Sequence, residues 1–377
     1  MNARILRKIR INIMSIYSGI RNTLKLKKCE IIAKTKVIKN LAVDEPIDFV
    51  LTWLDNGDEE WQKEMNKYDN NYSEGNGIER FRDWRLLKYW FRSVEKYAPW
   101  VRKIHFVTYG HYPEWLNVSH EKINIVKHED FIPQEYLPTF SSIPIELNFH
   151  KIKELSNCFV YFNDDMFLNR YSRKEDFFNG NTPKYYCEAT PYRHYSRKEF
   201  FDYILFNNIG LVNDRFDITM CMKKNPELWF SKYSKKARKY HRLSFRDNYI
   251  YGMHFPHLGT PMKKTTMEKV WDVYGEQLNE TCRHKFRTPL DVNQQMFYLW
   301  DILNGNFCPV SDNYFGRFYD NPKEQLEYIR KDIIEDNSLM ICMNDSSSIR
   351  ESEFESVRSE IDSILSNKYS NKSRFEV

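Results

Sequence analysis

One run constrains this chain more than any other: Phe159-Val160-Tyr161-Phe162-Asn163-Asp164-Asp165-Met166-Phe167-Leu168. Apolar and aromatic residues lead in, an Asn and two adjacent carboxylates interrupt, and apolar residues resume. The flanks show no apolar/polar alternation, so they predict a strand covered on both faces. A carboxylate buried without a partner is costly. Two of them at a strand end call for a cation, a metal or a hydrogen-bonding substrate, and α/β folds bind ligands where strands end. The competing reading is a turn in which Asn163 and Asp164 cap a loop or helix.

The elements around this run give an α/β pattern. Ile47–Trp53 predicts a strand closed by the tight turn Asp55-Asn56-Gly57-Asp58. Arg80-Phe81-Arg82-Asp83-Trp84-Arg85 opens a helix with apolar positions at Leu86, Leu87, Tyr89, Trp90 and Val94, stopped by Pro99. Strands follow at Lys103–Thr108 and Ile123–Val126, then a helix over Ile145–Leu155 that carries Glu146 and His150. Strand, helix, strand, loop, strand is a βαβ-type order. Residues 169–250 interleave aromatic and basic side chains and read as an insertion over the site or an acceptor surface. Met253–Lys264 reads as a loop bearing His254, His257, Lys263 and Lys264, ahead of a helix Thr266–Leu278. Leu339–Met343 is a late strand ending in Asn344-Asp345, the opening motif repeated. The expected organisation is a basic tail (1–45), a core in two parts (46–168 and 251–346) around the 169–250 insertion, and a polar tail (347–377) of helix and fraying end.

Charge sorts the partners. Residues 1–40 carry eleven Lys and Arg against Glu30, a balance of +10 in a chain of net +5, so the body is acidic at −5. That body is not a nucleic-acid-binding surface. In the tail, Ile5, Ile9, Ile13, Ile16 and Ile20 recur at helical spacing among cations. The stretch is too broken for a membrane span and lacks a signal-peptide core. It reads as a basic interfacial helix with peripheral membrane contact, or as a solvated arm. Seven scattered cysteines without a C-x-x-C pair point to a reducing, cytoplasmic setting rather than a zinc site or disulfide scaffold.

Four stretches together resemble the Stealth family of sugar-1-phosphate transferases. They are IDFVLTWLDNGD (Ile47–Asp58), Arg80–Asn117 continuing through HEDFIP, LPTFSS and FVYFNDDMF, then FPHLGTPMKKTTMEKVW with HKFRTPLDVNQQ, and ICMNDS. They span roughly residues 46–346. This sequence departs from the family pattern at Leu86, Lys88, Leu54 and Asn56, and only Asn344 and Asp345 carry over in the last region, so donor specificity transfers least well.

The resemblance implies a GT-A-like nucleotide-sugar-binding core with an α-rich insertion. It implies transfer of a hexose-1-phosphate or N-acetylhexosamine-1-phosphate from a UDP-sugar to a hydroxyl of a growing glycan or lipid-linked oligosaccharide, releasing UMP. Transfer at phosphorus needs charge neutralisation and an in-line nucleophile. Arg80, Arg287 and Lys264 are the candidates for neutralisation, and Asp164 and Asp165 are hard oxygen donors suited to Mg²⁺ or Mn²⁺. His257 is the candidate general base, a covalent phosphohistidine being the other route. Asp55 is a further catalytic candidate. Trp53 and Asn56 are assigned to the nucleotide, and Asp83, Asp291, Asn344 and Asp345 to substrate contacts. A metal-dependent glycosyltransferase releasing UDP is the alternative.

Overall fold

A computed structural model of the chain describes residues 22–68, 82–186, 188–194, 200–231, 235–311, 313–346 and 348–377. Arg80 and the Ile5–Ile20 repeat lie outside the described residues.

The core sheet is built from β1 (Ile47–Thr52), β2 (Ile104–Thr108), β3 (Ile123–Lys127), β4 (Cys158–Asn163) and β6 (Thr260–Lys263). Its spatial order is β6-β4-β1-β2-β3, with the first four strands parallel and β6 antiparallel at the edge. β1, β2 and β4 are buried almost throughout, as their unbroken apolar runs require. The helix Leu87–Tyr97 packs its Trp90 and Phe91 into this core. The α/β core expected from the sequence is therefore present.

A second sheet meets the first. β5 (Met166–Leu168) pairs antiparallel with β8 (Met340–Met343), which pairs parallel with β7 (Gly316–Tyr319). Asp164 and Asp165 form the turn by which the chain leaves β4 and enters β5, so they sit at the seam of the two sheets. The Met343 amide donates to Asp165 O (3.0 Å), which extends the β5–β8 ladder to the acidic turn.

The amino ends of the parallel strands are tied by one buried carboxylate. Asp48 accepts a fork from Arg102 and bonds from His105 (3.1 Å) and the Ser156 amide (2.8 Å). Burial works to raise its pKa, but these donors outweigh it and hold the group below the ordinary carboxylate value.

The insertion is helical over Phe200–Arg215, Ile218–Lys224, Pro226–Phe230 and Lys235–Asp247. Asn208 ties it to the body by exchanging hydrogen bonds with Asn293.

Four local expectations change. The Met253–Lys264 stretch is not one loop: Thr260–Lys263 is the edge strand β6, and its helix runs Lys264–Arg283. Pro261 misled the reading, since proline is tolerated on an edge strand, where an amide need not donate. The helix expected at Ile145–Leu155 is Ser142–Leu147 followed by a 3₁₀ turn Phe149–Lys151, because the Asn148 side chain donates to Pro144 O and ends the first segment. The polar end is ordered rather than frayed: Glu351–Lys368 is a helix, Arg92 forks onto Glu376, and Phe375 packs on Phe91. At the other end, residues 22–35 form a helix that buries Cys29 and Ala33 against the body, with Arg242 reaching Glu30.

Candidate active site

β1 lies between β2, which leads outward to β3, and β4, which leads the other way. The carboxyl ends of β1 and β4 are thus the switch point where α/β sheets open a crevice. Thr52 and Asn163 are in register there, and a cleft of about 770 Å³ opens above them.

Its acidic wall holds Asp83, Asp164, Asp165, Asn344 and Asp345. Asp164 is pushed up to about 8 by burial, then by the charges of Asp165 and Asp83. Asp83 is raised by burial; an Arg85 amide bond to its Oδ1 (2.7 Å) opposes this, and the charge of Asp55 adds to it. Asp165 Oδ1 is buried with no hydrogen-bond partner. Its Oδ2 accepts from the Cys342 thiol (3.3 Å) and lies 3.9 Å from His257 Nε2. Carboxylates that repel one another, one with an orphaned oxygen, are a donor set that a hard divalent cation satisfies. The Cys342 sulfur lies within 4.8 Å of ligand atoms of Asp165 and His257, but burial, then Asp165, raise the thiol well above its usual value.

The facing wall is cationic and hydroxylic. Arg287 donates to Ser142 Oγ (2.8 Å), and burial, which works against its charge, is opposed first by Glu146. Glu146 is buried in the short helix Ser142–Leu147 and raised by that burial, with Arg287 the strongest opposing influence. It accepts from the Tyr161 hydroxyl (3.0 Å), which also touches Asn163 Oδ1; the Thr52 hydroxyl donates to the same oxygen (3.3 Å). A chain of polar contacts therefore crosses the cleft floor from Arg287 to the residue preceding the two aspartates.

His257 stands on the rim, edge-on to Phe318 with ring centroids 5.5 Å apart. Gly259 fixes the loop that carries it: a Cβ there would lie 2.4 Å from a Phe162 ring carbon and 2.8 Å from the Met340 sulfur. Only glycine allows this approach.

Trp53, Asp83, Asp164, Asp165, His257, Arg287, Asn344 and Asp345 line one cleft. Trp53 is a wall rather than an open stacking platform: it is buried and stacked on Phe106. Asp55 and Asn56 lie in the turn beside the cleft, where Asp55 caps the Gly57 amide (2.8 Å) and its amide donates to His111. Asp345 is occupied by a bidentate fork from Arg82 (both contacts 2.7 Å), with both side chains buried. Asp291 is buried within the 284–291 loop, held by His284 and Thr288, and shapes the segment that presents Arg287.

Lys264 is not in the cleft. Lys263 is in register with Cys158, the first residue of β4, which puts Lys264 at the amino end of that strand. Five strand steps separate Cys158 from Asn163, roughly 17 Å at about 3.3 Å per residue. Lys264 therefore cannot neutralise charge at the aspartates. Glu146, Tyr161 and Thr52 were not singled out by sequence reasoning; the available signal was one carboxylate in an otherwise apolar helix, Ser-Ile-Pro-Ile-Glu-Leu.

Comparison with known proteins fits this arrangement. Two family descriptions match: "Stealth protein CR2, conserved region 2" over residues 80–185, and "Stealth protein CR3, conserved region 3" over residues 256–300. A capsular polysaccharide phosphotransferase WcwK of Streptococcus pneumoniae is 38% identical over 337 residues, 88% of this chain and 98% of the relative. The chain belongs to the Stealth family. An exopolysaccharide phosphotransferase cps2G of Lactiplantibacillus plantarum is 33% identical, with 88% and 96% covered. A receptor polysaccharide phosphotransferase WefC of Streptococcus oralis is 35% identical, with 81% and 92% covered. As a Stealth protein the chain is a phosphotransferase. The first matched region supplies the carboxylate turn and Glu146, and the second supplies His257 and Arg287.

Proposed function

We propose that this protein transfers a hexose-1-phosphate or N-acetylhexosamine-1-phosphate from a UDP-sugar to a hydroxyl of a growing glycan, free or lipid-linked, in capsule or surface-polysaccharide synthesis. The observation that carries the reading is the placing of His257 3.9 Å from Asp165 at the mouth of a cleft whose opposite wall presents Arg287. The names of the relatives support the glycan acceptor.

In this reading the acceptor oxygen attacks the phosphorus that carries the sugar. An oxygen–phosphorus bond forms, the bond to the bridging oxygen of the diphosphate breaks, and UMP leaves with that oxygen. The sugar C1–O bond survives, so anomeric configuration is retained. His257 Nε2, 3.9 Å from Asp165, takes the acceptor proton. Arg287 faces the non-bridging oxygens and stabilises their charge. Asp164 and Asp165 would hold Mg²⁺ or Mn²⁺, which when bound supplies further neutralisation of the diphosphate.

Identifying the nucleotide released from a panel of UDP-sugars tests the reading. UMP with a phosphodiester product is expected; UDP as the sole nucleotide would establish a glycosyltransferase instead. His257→Ala and Asp165→Asn should each lower kcat/KM by about 10²-fold or more.

Peripheral contact with the cytoplasmic face of a membrane belongs to the same proposal. On the helix over residues 22–35, Leu24 and Ile31 are exposed a heptad apart, with Lys27, Lys28 and Lys34 exposed around them. No helix among the described residues is long and apolar enough to cross a membrane, so contact would be interfacial. Flotation with anionic vesicles should be lost in a Lys27→Glu/Lys28→Glu/Lys34→Glu variant. Equal flotation of the two proteins would count against the contact.

A further inference from the structure

The rim of the cleft carries two large apolar side chains that face solvent. Phe318 is 42% exposed and Phe201 is 43% exposed, and both line the cleft. Scattered exposed apolar residues are ordinary. Two exposed phenyl rings lining one cleft, one of them in edge-on contact with the candidate base, are a different matter.

Their supports are independent and firm. Phe318 lies in β7, in register with Cys342 of β8, whose thiol donates to Asp165. The residue after it, Tyr319, accepts the Asn344 amide (3.0 Å). The ring is thus registered to the carboxylate turn by backbone pairing. Its edge-on contact with His257, at 86°, leaves a ring face free of that imidazole. Phe201 opens the first helix of the insertion, which Asn208 and Asn293 bond to the cleft wall. The two rings therefore approach the mouth from different parts of the chain.

We propose that Phe318 and Phe201 form the acceptor subsite, a platform for the apolar face of the pyranose ring whose hydroxyl is to be phosphorylated. The axial C–H groups of a pyranose make one face of the sugar apolar while its hydroxyls project from the edge. Seated at van der Waals distance, about 4 Å above the Phe318 ring, such a sugar directs edge hydroxyls toward His257 Nε2. In the proposed function the donor diphosphate lies against Asp164, Asp165 and Arg287, which leaves the aromatic rim for the acceptor. This assignment rests on the function proposed above, since it takes His257 as the group that receives the acceptor proton.

The test uses the full-length protein, the UDP-sugar it turns over, and two acceptor types. These are a panel of methyl hexopyranosides and methyl N-acetylhexosaminides, and ethylene glycol, which has a hydroxyl but no ring. The readout is the ratio of transfer to donor hydrolysis, which a general loss of activity does not move. In Phe318→Ala and in Phe201→Ala the ratio for the glycosides should fall about tenfold, the weight of one aromatic contact, while the ratio for ethylene glycol holds. Phe318→Trp should restore the glycoside ratio. Saturation-transfer NMR on the same proteins should show the glycoside ring protons losing contact in both alanine variants.

An unchanged glycoside ratio with unchanged ring-proton signals would overturn the proposal. So would an equal fall for ethylene glycol, which marks a structural role. Loss of binding to a long-chain alcohol or loss of self-association, with glycoside contact intact, would reassign the rings to a lipid or to a second copy of the chain. Release of UDP by the wild type, or no turnover of any nucleotide sugar, would defeat the functional reading alone. The NMR measurement would still decide the platform.

Discussion

Glu146 shows at the scale of a single residue how the site is held. Its carboxylate faces Arg287, accepts from Tyr161, and through that hydroxyl reaches the oxygen of Asn163. Glu146→Gln keeps the shape and removes the charge that opposes the burial of Arg287. Misplacing a charge-stabilising group by about 1 Å can cost on the order of 10²-fold, so kcat/KM for the UDP-sugar should fall by up to that amount. Thermal melting should stay close to wild type. A kinetic parameter set indistinguishable from wild type would show that the polar chain across the cleft floor does not position Arg287. This residue was not legible in the sequence, because one glutamate in a short helix looks like an ordinary solvated side chain. Asp164 and Asp165 were legible as cleft residues, because two adjacent carboxylates at the end of a doubly covered strand violate the expectation for a core. Lys264 was misplaced because the chain before it was taken as a loop; once Thr260–Lys263 is extended, the lysine is carried to the wrong end of β4.

At the scale of elements, the cleft is a seam between two sheets and needs a clamp. Arg82 supplies it: the guanidinium forks onto Asp345 after β8, donates to Ile349 O (3.1 Å), and lies 4.6 Å above the Phe354 ring of the Glu351–Lys368 helix. In the fold, Arg82 and Arg92 are committed to carboxylate partners, Asp345 and Glu376, that lie far along the chain. No spacing rule pairs residues more than two hundred positions apart, so their partners were unreadable in advance. Arg82→Ala leaves Asp345 buried and unpaired, which should cost about 3–5 kcal/mol in urea unfolding. Arg82→Ala/Asp345→Asn should recover part of that loss, and a purely additive double variant would refute the coupling.

For the whole molecule, the broad α/β order was readable because long apolar strands alternate with amphipathic helices, whereas the ordered C-terminal end was not, since Glu351–Lys368 is mostly polar and only its buried side, from Phe354 to Leu365, declares its docking. Removing residues 369–377 deletes the Glu376 fork and the Phe375 contact, and should lower the melting temperature by several degrees. The acid limb of stability has a separate source at the far end of the sheet. Asp48 has a folded-state pKa below its unfolded value, so its contribution is present above about pH 4 and is lost as pH falls through the lowered folded value. Asp48→Asn should therefore flatten the loss of stability below that pH. At neutral pH it should cost about 2–4 kcal/mol, held below the figure for a fully enclosed pair because Arg102 is partly exposed.

The hydrogen bond from the Met343 amide to Asp165 O makes one backbone proton a built-in gauge of the acidic turn's hold on β8. An amide exchanges with solvent only when its bond opens. Whatever braces the acidic turn against β8 should slow this proton, and whatever frees the turn should speed it. Its exchange rate is a clock that needs no label, no substrate and no turnover.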